Sequence, residues 1–256
     1  MHSIQDKLSI LRASLDGELY DDKTMRILYA TDASVYREMP MAVAHPQHKE
    51  DLIQLIRFAQ HEKVSLIPRA AGTSLAGQCV GEGIVVDVSK YMTEILEVNE
   101  TENWVRVQPG VIRDDLNKFL KPHHLFFGPN TSTANRAMIG GMVGNNSCGS
   151  YSIVYGTTRD HVIELSCILS DGSEVTFGPI DKATFEEKRQ LPTLEGKIYQ
   201  QLYTALSATE NQQEIRAQFP KPSIHRRNTG YAIDVLLESE VFKEGGETFN
   251  FSHLLA

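Results

Sequence analysis

Apolar residues recur along this chain at two periods. Ile4, Leu8, Leu11 and Leu15 return every three to four positions, one face of a helix, so residues 1–36 are expected to form an amphipathic helical lead-in. Leu52, Leu55, Ile56 and Ala59 do the same within Asp51–Lys63, which predicts a second helix. His45-Pro46 between them reads as a strand end or turn, because the residue before proline is pushed out of the α region. A short apolar run at 64–67, a polar loop at Pro68–Gly77 and a second run at 84–88 follow. Strand, helix, strand, loop and strand thus make a compact first subdomain, residues 37–97.

A second subdomain is expected over residues 98–256. Trp104–Gln108 alternates as a strand, Pro109-Gly110 breaks it, and Asp114–Leu120 reads as a helix closed by Lys121-Pro122. Residues 126–149 are rich in Gly, Asn, Ser and Thr with little periodicity. The runs 162–169 and 174–177 flank Asp171-Gly172, which predicts a hairpin with a type I′ turn. Ile198–Leu206 and Gln212–Phe219 read as helices. The last residues, 249–256, form an apolar run without a polar tail, which points to a domain of a longer protein.

Composition narrows the function classes. The 256 residues are 41% hydrophobic and 23% charged, as in ordinary globular proteins. A net charge of -8 and scattered Lys and Arg argue against nucleic-acid binding, which rewards clustered cations. The chain carries no apolar run of the ~18 residues a membrane span needs, and its first residues lack the basic and apolar regions of a secretory leader, so none is expected. Three widely spaced cysteines, Cys79, Cys148 and Cys167, suit a reducing compartment, so the cytoplasm is expected. Without a Cys-x-x-Cys pair, no iron–sulfur cluster is expected in this chain.

Two loops carry the candidate chemistry. In Arg69-Ala-Ala-Gly-Thr-Ser74, small residues let backbone N–H groups approach an anion such as a pyrophosphate, and Gly72 and Gly77 can take positive φ. The loop lacks the lysine of a P-loop, and a plain turn rich in small residues is the other reading. Gly140, Gly141 and Gly144 mimic part of a dinucleotide fingerprint without its strand-then-helix context. Asn145, Asn146 and Ser147 offer amide and hydroxyl partners to a flat heterocycle, with an Asn-rich structural turn as the alternative. His45, His48 and His61 are expected on the surface. His123-His124 is not expected to bind metal, since adjacent residues point apart and no carboxylate is placed nearby. His225-Arg226-Arg227 is a basic cluster, either a solvated loop or a contact for acidic groups, and no nucleophile triad or metal site is identified.

The ordered set Ile67-Pro-Arg-Ala-Ala-Gly-Thr-Ser-Leu75, Ile84-Val-Val-Asp-Val88, Gly128-Pro-Asn-Thr-Ser132, Ile139-Gly-Gly-Met-Val-Gly-Asn-Asn-Ser-Cys-Gly149, Tyr155-Gly-Thr-Thr-Arg-Asp160 and Ser170-Asp-Gly172 resembles the FAD-binding domain of the vanillyl-alcohol oxidase / p-cresol methylhydroxylase superfamily. Within it the likeness is to the branch of glycolate oxidase, D-lactate dehydrogenase and D-2-hydroxyglutarate dehydrogenase, over roughly residues 37–256. The resemblance implies an α+β fold, a PCMH-type domain of two α/β subdomains with FAD between them. It further implies oxidation of a D-2-hydroxy acid, with hydride passing to the flavin.

By the same resemblance, Arg69, Ala70, Ala71, Gly72, Thr73, Ser74 and Leu75 would wrap the pyrophosphate, with Gly77 and Gln78 beside the ribityl chain or diphosphate. Pro129, Thr131 and Ser132 would approach the flavin ring, and Gly140, Gly141, Asn145, Ser147 and Gly149 would line the isoalloxazine and ribityl region. Tyr155 and Gly156 would hold the following loop, and Val162 or Ile163 would pack near the adenine; Pro68, Ile139, Gly144 and Asn146 complete the cofactor set. Covalent members often carry histidine in the first loop; here Thr73 stands at that place, so FAD is expected to be non-covalent. Asn228-Thr-Gly-Tyr231 matches the branch, whose next flavin-contact motif would begin where Leu254-Leu-Ala256 ends the chain. The substrate domain, the catalytic base and an iron–sulfur electron acceptor are accordingly expected outside this chain. The location is expected to be cytoplasmic, with a peripheral place at the inner membrane face as the variant. Two alternatives remain: a non-catalytic adenine-nucleotide-binding module, and an NADPH-oxidising flavoenzyme resembling the enolpyruvoyl-glucosamine reductases.

Overall fold

The computed structural model describes residues 3–221, 223–224 and 230–255. They form two compact units. The first takes residues up to Phe127 with Thr131–Met142 and Ser170–Gly172; the second takes Gly128–Asn130, Val143–Leu169 and residues from Ser173 on. Helices and strands are mixed in both, giving the α+β class. Residues 98–127, grouped by sequence with the second subdomain, pack within the first unit. The basic cluster at His225-Arg226-Arg227, with Asn228 and Thr229, lies outside the described residues.

The first unit is built on a four-stranded sheet: β1 (Glu18–Tyr20), β2 (Ala42–His45), β3 (Leu66–Arg69) and β4 (Ile84–Asp87), in the order β1-β2-β4-β3. β1 is antiparallel to β2, while β2 and β3 both run parallel to β4. Every residue of the two inner strands is buried, which explains why both are apolar up to His45 and Asp87 at their ends. Parallel neighbours need a connection of roughly a dozen residues or more. Between β3 and β4 that connection contains no helix, so residues 70–83 make it as a loop. The long loop at the carboxyl end of β3 is therefore a consequence of topology.

Helices α1 (Ile4–Ser14) and α3 (Lys49–Glu62) cover one face, where Leu8, Leu11 and Leu55 pack with Ala42, Ala44, Ile84 and Val86. α1 starts at a capping box between Ser3 and Asp6, and α3 ends where Lys63 turns left-handed at φ 56°. The lead-in is more than a helix: β1 joins the sheet, and α2 (Lys23–Leu28) starts on the Asp22 side chain. The hairpin β5 (Ile95–Asn99)–β6 (Trp104–Val107) packs Val98 and Val105 onto Leu116 and Leu120 of α4 (Arg113–Leu120). Within the aperiodic run 126–149, six residues form α5 (Ile139–Gly144).

The second unit begins with α6 (Ser152–Tyr155) and the antiparallel pair β7 (Leu165–Ile168) and β8 (Glu174–Phe177). Their turn is not the type I′ that Asp171-Gly172 predicts. Gly172 has φ 81° while Asp171 has no positive φ, and Leu169 N–H donates to Ser173 O at 2.8 Å. Residues 170–172 thus make a three-residue connection with glycine in the left-handed place. β9 (Pro179–Ile180), α7 (Lys182–Arg189), α8 (Leu194–Ser207), α9 (Thr209–Gln218), α10 (Ile233–Leu236), β10 (Phe249–Asn250) and α11 (Ser252–Leu255) complete it. Phe177, Phe185, Tyr199, Phe249 and Phe251 form its core, with Phe185 and Phe249 edge-on at 4.7 Å. Part of the terminal apolar run therefore packs inside this unit.

His45 is not a surface residue. It ends a fully buried strand and lies beneath the rings of Tyr20 and Tyr29, so burial of β2 carries it inside. Its Nδ1 lies 3.0 Å from Glu18 Oε2 and its Nε2 2.9 Å from the Tyr29 hydroxyl. His61 is exposed and His48 partly so. His123 does meet a carboxylate, with Glu100 Oε1 2.6 Å from its Nδ1, because the 3-10 turn after α4 and the β5–β6 hairpin converge at their ends.

Candidate functional site

In the first unit, Pro68 and Arg69 close β3 and the chain enters the polar loop. Gly72 and Gly77 have φ of 65° and 70°, conformations that a side chain would strain. Arg69 does not extend from the loop: its Nη1 donates to Thr31 O at 2.9 Å and its guanidinium lies over the Tyr29 ring. Tyr29 in turn donates to Asp87 Oδ2 at 2.6 Å, so the ends of β2, β3 and β4 are joined through one side chain. Burial, with the hydrogen bond to Asp87, holds the Tyr29 hydroxyl well above its ordinary pKa, so it stays a donor.

The backbone N–H groups of Ala71, Gly72, Thr73, Ser74 and Leu75 have no acceptor among the described residues. Five successive free amides suit an anion rather than a self-supporting turn. Ser74 Oγ is hydrogen-bonded to Gln78 Oε1, and Leu75 is 79% exposed. Cys79, at the end of the loop, is buried, and burial pushes its thiol up to about 11; it is no nucleophile at neutral pH.

The second glycine-rich segment reaches the first within this unit. Gly140 N–H donates to Pro109 O at 2.8 Å, and Gly141 packs so that a Cβ there would stand 3.4 Å from Ala70 Cβ. Ile139 opens α5 against Val111 and Leu116, while Thr131 and Ser132 lie in the turn before it, where Thr131 O accepts from Ala134 N–H.

The second unit holds the other expected residues. Beside Gly144 a Cβ would meet nothing within 4 Å, and Asn145 is exposed, with its Nδ2 donating to Ser147 Oγ at 3.1 Å. Asn146 is buried at φ 42°; its Oδ1 accepts the Arg159 N–H at 2.9 Å while its Nδ2 has no partner. A buried donor left without an acceptor is costly, so this one fits a ligand that brings an acceptor. Thr158 holds Ser147 O at 2.6 Å, and Asp160 Oδ2 accepts the Thr157 N–H at 2.7 Å. Pro129 is buried beside Gly128, which lies against Tyr155, and Gly156 follows in the turn closed on Asp160. Gly149 N–H is capped by Ser152 Oγ at 2.9 Å. The carbonyls of Val162 and Ile163 face His253 Nε2 at 3.1 Å and Asn250 Nδ2 at 2.9 Å.

Thr31, Tyr29, Asn250 and His253 support these loops from far along the chain, and no local pattern marks them. Outside the loops, Asp16, His48 and Asp51 bring ligand-type atoms within 4.8 Å of one another. The Asp51 carboxylate there accepts N–H groups of Asp16, Gly17 and Gln47, which accounts for its burial without an ion.

Comparison with known proteins bears on the same loops. The D-2-hydroxyglutarate dehydrogenase of Pantoea ananatis is 40% identical over 233 residues, 90% of this chain and 22% of its own length. The glycolate oxidase subunit GlcD of Bacillus subtilis is 35% identical over 174 residues, 67% of this chain and 37% of that protein. The chain therefore spans about a fifth of the length of the dehydrogenase it matches. Among solved structures, an alkyldihydroxyacetonephosphate synthase shares the fold with a TM-score of 0.61 at 21% identity, covering 68% of this chain and 35% of that one. A sequence model of the FAD binding domain matches residues 40–178, more than half of the chain and a span containing both loops. With the free amides of the first loop and the unpartnered donor of the second inside that span, the chain belongs to the FAD binding domain family.

Proposed function

We propose that this chain is the FAD-binding part of an oxidoreductase that oxidises a D-2-hydroxy acid of the lactate, glycolate or 2-hydroxyglutarate type. The observation that carries the reading is the run of free amides from Ala71 to Leu75, a cradle for a pyrophosphate. Asn146 Nδ2 supports it as a donor that lacks an acceptor within the protein. Bound FAD would supply the hydride acceptor. This chain's residues would bind and orient: the first loop through its amides, and Asn145, Asn146 and Ser147 through side-chain polar groups. Thr73 stands where covalent relatives carry histidine, so attachment is non-covalent. The substrate domain, the base and any iron–sulfur acceptor belong to parts of the protein outside this chain. A cytoplasmic location fits; no described helix is long and apolar enough to cross a membrane.

The test is a flavin titration of the purified chain, followed by visible absorption and flavin fluorescence, with ADP as competitor. Expected are a perturbed flavin band, quenched emission and full release of FAD on denaturation. Absence of both spectral changes would overturn the reading. Binding of ADP without any flavin response would replace it with a nucleotide-binding module.

A further inference from the structure

The cofactor loop holds itself only around Ser74, whose Oγ meets Gln78 and the Ala76 N–H. Its amides from Ala71 to Leu75 bond to nothing in the described chain, so something else must set their direction. The neighbour that touches the loop along its length is the segment 29–37, which precedes residue 40, where the family match begins. Ala33 N–H donates to Gly72 O at 3.1 Å, and Thr31 O accepts Arg69 Nη1 at 2.9 Å. Asp32 Oδ2 faces Cys79 Sγ at 3.4 Å. The Tyr36 ring lies against Gly77 so closely that a Cβ there would stand 2.6 Å from it. The segment is closed on itself: Asp32 Oδ1 accepts Ser34 N–H at 2.8 Å, Ser34 Oγ accepts Tyr36 N–H at 3.1 Å, and Thr31 bridges to Arg37. Tyr29 and Ala30 pack inward, but the rest of the segment is a surface feature, with Val35 94% and Tyr36 57% exposed. A core role does not explain the part from Thr31 on.

We infer that residues 29–37 form a strap that holds the cofactor loop open before its ligand arrives, with Tyr36 as a positioning residue. The inference rests on the proposed FAD function. The ring of Tyr36 fills the place beside Gly77 that a side chain would take, which fixes the second left-handed corner of the loop. Thr31 and Ala33 fix the first corner at Arg69 and Gly72. An anion then meets amides already pointed at it, and the ordering cost falls on folding instead of on binding.

The experiment uses the whole chain with Tyr36→Ala and Tyr36→Phe. Trypsin cleavage after Arg69 is followed by mass spectrometry without FAD, FAD affinity by fluorescence quenching, and unfolding by Trp104 emission. Tyr36→Ala should raise cleavage after Arg69 and weaken FAD binding by about tenfold, the order of fixing one backbone residue anew. Its unfolding midpoint should stay unchanged, and Tyr36→Phe should behave as the parent in all three. Parent-like cleavage and affinity in Tyr36→Ala would overturn the strap. So would losses matched by a fall in the unfolding midpoint, or Tyr36→Phe failing as Tyr36→Ala does. Should the parent chain not bind FAD, the proposed function fails, while the cleavage comparison still decides the strap.

Discussion

Tyr29→Phe isolates the side chain that joins the sheet ends to the cofactor loop. The hydroxyl donates to Asp87 Oδ2 at 2.6 Å and meets His45 Nε2 at 2.9 Å. The side chains of Asp87 and His45 are 7% and 8% exposed, so water cannot take its place. Phenylalanine keeps the ring, so no large cavity opens, and the loss is that of hydrogen bonds. With a buried carboxylate oxygen losing its donor, ~2–3 kcal/mol should disappear. Trp104, the single tryptophan, sits on β6 in the same unit and reports its unfolding by fluorescence. With a urea dependence of roughly 1–3 kcal/mol per molar, the midpoint should fall by about 0.7–3 M. A loss below about 0.5 kcal/mol, the scale of an ordinary surface substitution, would refute the reasoning.

Four further outcomes follow from the geometry. Hydrogen bonds from Lys90 and then His45 hold the Glu18 carboxyl at about 2, against 4.5 in the unfolded chain. The stability this gives is full above pH 4.5 and is lost as pH falls toward 2, so Glu18→Gln should flatten that acid limb in urea titrations across pH. Phe185→Ala removes a fully buried ring from the second unit and should cost ~3–5 kcal/mol by calorimetry. Gly72→Val puts a branched side chain at φ 65° and a Cβ 2.7 Å from the Arg69 guanidinium; FAD titration should show binding lost. Asn146→Asp keeps the acceptor for Arg159 N–H but puts an oxygen where the unpartnered donor was. FAD binding should weaken by ~1–3 kcal/mol in the same titration.

Spacing along the chain was enough to place α1, α3, α4 and α8, because each depends on its own apolar face; α9 is read as a helix too, although only its Ile215 is buried. It also placed the strand–helix–strand–loop–strand order of the first unit, since the two inner strands are buried on both faces and apolar up to His45 and Asp87 at their ends. The helix α7, where only Phe185 of eight residues is buried, is not marked by spacing. The Asp171-Gly172 turn misled because that pair also suits a longer connection, and the observed ladder leaves three residues to span.

The candidate site divides along the same line. Glycines, small residues and paired asparagines are local chemistry, and they mark both loops in the sequence because a backbone that must face a ligand tolerates few residue types. Tertiary packing decided which groups those loops present. Arg69 turns inward because Thr31 O and the Tyr29 ring lie there, and His45 is buried because β2 is an inner strand. Asn146 keeps a free donor because Arg159 N–H takes only its oxygen. The contacts of Arg69 and His45 join residues tens of positions apart, whose proximity depends on how whole strands and helices pack. The chain alone therefore determined where a cofactor could be held, and the packing around it determined which amides and side chains are left free to hold it.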